Sequence, residues 1–160
     1  MADNPLDTYL NDHMGGAMLG SELARQILDH TDGTPLGDLM APIATEIEED
    51  RQALDDLMEA LDVSRNPVKQ ASGWVAEKMS KIKFSGAGSG DAEHGHFMAI
   101  ESLALGVLGK RSLWAALKTV EGQHEPLQQL DLDGLIERAD GQYGALERVR
   151  IQAAPGALSG

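Results

Sequence analysis

The chain contains no cysteine, which excludes disulfides, thiol catalysis and cysteine-ligated zinc or iron–sulfur centres. Aromatic residues are only 4% of it, so any core must rest on Leu, Ile, Ala and Met. Basic residues are few, 13 Lys and Arg against 26 Asp and Glu. The resulting formal net charge of -13 removes the clustered cations that a nucleic-acid surface needs. It equally disfavours docking on anionic lipid and predicts a solvated acidic face. Alternating β-branched and aromatic runs, the mark of strands, are almost absent. The longest apolar run, around Phe97 to Gly109, is short for a membrane span and is interrupted by Glu101. Met1 is followed by acidic and polar residues, not by a signal-peptide pattern, so the expected location is the cytoplasm. A chain of 160 residues with this balance is expected to form one soluble all-α domain over 1–160.

Five helices can be read from the apolar spacing. The first runs from about Pro5 to His30 with the seam Leu6, Leu10, His13, Ala17, Gly20, Ala24, Ile27. Gly15, Gly16 and Gly20 weaken it, and their missing bulk either admits a close neighbour or leaves room for something else. Thr31 to Pro35 forms a turn, and Pro35 starts the second helix, which ends near Leu61. Its seam, Leu36, Met40, Ile43, Ile47, Asp50, Leu54, Leu57, Leu61, steps by four and three throughout. Asn66-Pro67 opens a shorter third helix to about Phe84, followed by a flexible Gly/Ser connector at 85–90. The fourth helix spans about Ala92 to Val120 and is apolar nearly all round. The fifth, about Asp131 to Ala153, has the seam Leu132, Leu135, Ala139, Gln142, Leu146, Val149, and residues 154–160 read as a disordered tail.

Short turns make helices 1 and 2 antiparallel neighbours, and helices 4 and 5 likewise. The third helix, at roughly 27 Å, is long enough to carry the chain back along the bundle. Helices 2 and 4 then run parallel, the connectivity of a ferritin-like four-helix bundle (helices 1, 2, 4 and 5) with a crossover helix. A simple up-and-down five-helix bundle is the alternative. Under the first threading the polar residues on apolar seams fall into two layers. His13, Asp50, Gln142 and Lys110 lie about 15 to 18 residues from the end where helices 1 and 2 meet. Glu22, Glu46, Glu101 and Arg150 lie about 8 to 11 residues from it.

Burying such groups without partners costs free energy, so each layer needs an explanation. His13, Asp50, Lys110 and Gln142 read as a buried network in which Asp50 fixes the His13 tautomer and the others complete the helix register. The alternative is a metal site using His13, Glu46, Asp50 and Glu101 with iron or manganese, which a nearby lysine would oppose. In the second layer Arg150 reads as the counter-ion for the acids. Glu93 with His96 and Glu121 with His124 match Glu-x-x-His, but at the two ends of helix 4. Gly106-Val-Leu-Gly-Lys110-Arg-Ser112 lacks the spacing and the strand of a phosphate loop, so its glycines read as close helix contacts. Trp74 and Trp114 are expected to pack the third helix onto the bundle.

Four segments add a resemblance. Tyr9-Leu-Asn-Asp-His13, Glu46-Ile-Glu-Glu-Asp-Arg51, Trp74-Val-Ala-Glu-Lys78 and Gly109-Lys-Arg-Ser-Leu-Trp114 resemble a group of uncharacterised bacterial ferritin-like proteins. The resemblance covers about Tyr9 to Arg150 and implies a ferritin-like bundle, with no activity to carry over. The mid-helix Glu-x-x-His ligands of ferritins and rubrerythrins are missing. The expected role is therefore binding or interaction, not catalysis, with no cofactor and with an unknown protein or small ligand as partner. The expected state is monomer or homodimer. A metal-carboxylate oxidoreductase or metal-storage protein with a reduced ligand set is the alternative function.

Overall fold

The computed structural model describes residues 4–66, 77 and 90–159. Every element among them is helical: α1 (Pro5–Thr31), α2 (Pro35–Ala60), α3 (Gly90–Thr119), a 3-10 turn (Glu121–Gln123), α4 (Glu125–Gln128) and α5 (Leu132–Leu158). The fourth helix of the sequence reading is thus α3 and the fifth is α5. The expected third helix, with Trp74, and the connector at 85–90 fall outside the described residues. No helix among the described residues is long and apolar enough to cross a membrane.

Local chemistry fixes the helix ends. Asn4 Oδ1 accepts from Leu6 N at 3.1 Å and Pro5 opens α1, where a missing N–H costs nothing. Gly33, at φ 75°, turns the chain, and Thr34 Oγ1 then accepts from Gly37 N at 3.2 Å to cap α2. Gly37 is needed for a different reason: a Cβ there would meet the Thr31 carbonyl oxygen at 2.2 Å, so α1 and α2 close their hairpin over it. Asp131 Oδ1 caps α5 through Gly134 N at 3.0 Å. That helix continues to Leu158, through most of the stretch read as a tail and with Pro155 inside it.

The polar cross-links give the helix directions. Rising positions on α3 meet falling positions on α5, in the pairs Glu101–Arg150, Lys110–Gln142, Arg111–Asp140 and Lys118–Asp133. On α2 and α5, Glu46 meets Gln142 while Glu49 and Asp50 meet Arg138. Both α2 and α3 are therefore antiparallel to α5, and so parallel to each other, as the threading of helices 2 and 4 requires.

The core is divided in two. Leu23, Ile27, Met40, Ile43, Ile47, Ile100, Leu103 and Val107 pack with Ala139 and Leu146 towards the α1–α2 turn. Leu10, Met14, Leu54, Leu57, Leu113, Trp114, Leu127 and Leu132 pack at the other end. On α2 the boundary falls at Asp50, between Ile47 and Leu54; on α3 it falls at Lys110, between Val107 and Leu113.

Candidate functional site

Asp50 is the centre of the boundary layer, and its side chain is fully buried. Its Oδ2 accepts from Lys110 Nζ at 2.5 Å and from Gln142 Nε2 at 3.4 Å. Its Oδ1 accepts from Arg138 Nε at 3.0 Å and also from Arg138 Nη2. Lys110 Nζ donates in turn to Gln142 Oε1 at 2.5 Å, and Gln142 Nε2 to Glu46 Oε2 at 3.0 Å. Arg138 Nη1 reaches Glu49 at the surface, at 2.9 Å. A carboxylate offers about four acceptor sites, and four donors reach those of Asp50. Desolvating an ion costs several kcal/mol, and this completeness is what offsets it. Burial pulls the Lys110 ammonium below the usual lysine range, with Asp50 opposing that shift.

Three of the four residues expected in the network, Asp50, Lys110 and Gln142, are therefore joined. His13 is not. It is half-buried, makes no hydrogen bond among the described residues, and sets its ring edge-on to Tyr9 with centroids 4.6 Å apart. Arg138 takes the expected place of His13, because a two-pronged cation satisfies a buried carboxylate better than a neutral imidazole. Sequence reasoning passed over Arg138, although it stands four residues before Gln142 and hence on the same face of α5. Burial lowers the His13 pKa, against the raising effect of Asp12.

The second layer comes together only in part. Arg150 pairs with Glu101 at 3.0 Å, as expected of a counter-ion, and also with Glu147 at 2.7 Å. Glu46 belongs to the Asp50 network instead, and Glu22 lies with Arg25 on the surface. Of the metal set His13, Glu46, Asp50 and Glu101, the last is held by Arg150 and Asp50 is saturated by cations and amide. Among the described residues no three His, Asp or Glu side chains gather so as to hold a metal ion.

Beside the charged layer lies a cavity of about 360 Å³ between α1, α2 and α3. Its polar wall is Asp50, Lys110 and His13, with Arg51 and Asp12 further out. Its apolar wall includes Ile47, Leu54, Leu103, Val107, Leu113 and Trp114. Gly16 and Gly20 on α1 and Gly106 and Gly109 on α3 complete the lining, and a Cβ added at any of the four would meet nothing within 4 Å among the described residues. The glycines of α3 are therefore not close helix contacts. Gly16 and Gly20 of α1 follow the other reading, in which missing bulk leaves room, whereas Gly15 is buried outside the lining. Trp114 is buried against this wall, its Nε1 without a hydrogen-bond partner among the described residues. No known protein-family model, curated protein or solved structure matches the chain at a significant level.

Proposed function

We propose that this protein is a small-molecule-binding helical bundle of ferritin-like connectivity, acting by binding and not by catalysis. The observation that carries the reading is the cavity of about 360 Å³ whose walls include four helix-interior glycines at which an added Cβ would meet nothing within 4 Å among the described residues. A glycine inside a helix destabilises it by roughly 0.5–1 kcal/mol relative to alanine. A tight helix crossing would account for that deficit, and none of the four makes one. The remaining consequence of their small size is volume. Apolar walls with a few polar groups converging at one end are the usual make-up of a small-ligand site. The parallel course of α2 and α3 is the one that ferritin-like connectivity requires, and an up-and-down five-helix bundle shares it.

Calorimetric titration with three alkyl probes of equal length, decanol, decanoate and decylamine, tests the reading. At least one is expected to bind saturably, one molecule per chain, and to lose that binding in Gly16→Leu and Gly106→Leu, whose side chains fill the space. No saturable binding by any probe, or equal binding by folded leucine variants, overturns it.

A further inference from the structure

We infer that the ligand of this cavity is a neutral aliphatic molecule with an oxygen acceptor at one end, an alcohol, aldehyde or ketone, whose oxygen meets Lys110. The inference rests on the cavity reading above and adds the chemistry of the occupant.

The polar wall has little left to offer. All four acceptor sites of Asp50 face donors, two on Arg138, one on Lys110 and one on Gln142, so the buried carboxylate has no oxygen free to receive an ammonium head, and the other carboxylate of the lining, Asp12, is exposed at its outer edge. An ammonium has three N–H donors. Lys110 directs one to Asp50 and one to Gln142, which leaves one for a ligand acceptor. The imidazole of His13, without a hydrogen bond among the described residues, stands in the same lining.

Charge then decides the kind of acceptor. Both cations in the lining already face carboxylates, Lys110 on Asp50 and Arg51 on Glu48. Around the buried pair the formal charges are three carboxylates, Glu46, Glu49 and Asp50, against the two cations Lys110 and Arg138. A carboxylate head would bring a further anion, unpaired, into a site that already has an excess of one. A hydroxyl or carbonyl oxygen takes the remaining N–H without adding charge. Size sets the rest. At roughly 30 Å³ for each water-sized group, the cavity holds about a dozen non-hydrogen atoms. That suits a chain of about ten carbons lying along Leu54, Leu103, Val107 and Leu113.

Ranking the three probes on the unaltered chain near neutral pH tests this without any variant. Decanol is expected to bind at least about tenfold more tightly than decanoate or decylamine. If decanoate or decylamine binds as tightly as decanol or more so, the neutral-oxygen inference fails while the cavity reading stands. If none of the three binds, both fail together.

Discussion

Asp50 and Gly37 show how much single positions decide. In Asp50→Asn the carboxylate is gone while Lys110, with only 14% of its side chain exposed, keeps a buried charge. Removing one partner of such a pair destabilises by about 3–5 kcal/mol. Urea denaturation should therefore show a loss of that order, and Asp50→Asn combined with Lys110→Met should recover part of it, because the buried ammonium is gone and Arg138 keeps Glu49 as its partner. A double variant as unstable as the sum of its single changes would contradict the network. The glycines divide by the same logic of immediate surroundings. Gly37→Ala places a methyl group 2.2 Å from the Thr31 carbonyl oxygen, and overpacking of that kind costs about 1–3 kcal/mol. Gly16→Ala and Gly106→Ala meet open space among the described residues, so each should stabilise by roughly 0.5–1 kcal/mol, or about 1–4 °C in Tm. Thermal melts of the three variants should give opposite signs for one kind of substitution.

At the scale of the helix, legibility depended on what filled the seam. Along α2 the spacing was enough. Met40, Ile43, Ile47, Asp50, Leu54 and Leu57 are all buried, because each side chain fills its place against a neighbour. Along α5 the same holds for Leu132, Ala139, Gln142 and Leu146. On α1 the expected seam fails at its centre. Leu10, Ala24 and Ile27 are buried, but so are Met14 and Leu23, while His13, Ala17 and Gly20 line the cavity. A glycine in a void and a glycine in a tight crossing look alike in a sequence, so periodicity cannot separate Gly20 or Gly106 from Gly37. Arg138 escaped for another reason. A charged residue beside a seam reads as solvent-facing, and only the partner helix shows that it reaches inward to Asp50.

For the whole molecule, the layer at Asp50 ties three helices at one height, since α2, α3 and α5 all contribute to it. Sliding any of them by one turn, about 5.4 Å, would leave a buried carboxylate or ammonium without its partner. Acid should act on the molecule through His13 as well. Burial makes the folded chain hold the His13 proton less tightly than the unfolded chain, whose value is near 6.5. The contribution of His13 to stability is thus fully present above that value and is lost as pH falls through and below it. Between about pH 7.5 and about pH 5.5 the urea midpoint should fall less in His13→Gln than in the parent chain. Identical falls would remove His13 from the account.

The division of the core has a mechanical side. Leu10 and Met14 anchor one end of α1 and Leu23 and Ile27 the other, while Gly16 and Gly20 between them border the cavity. A helix supported in this way resembles a beam held at two points. Its compliance is greatest at mid-span, so the wall of the cavity can yield sideways there while both ends of the helix stay seated.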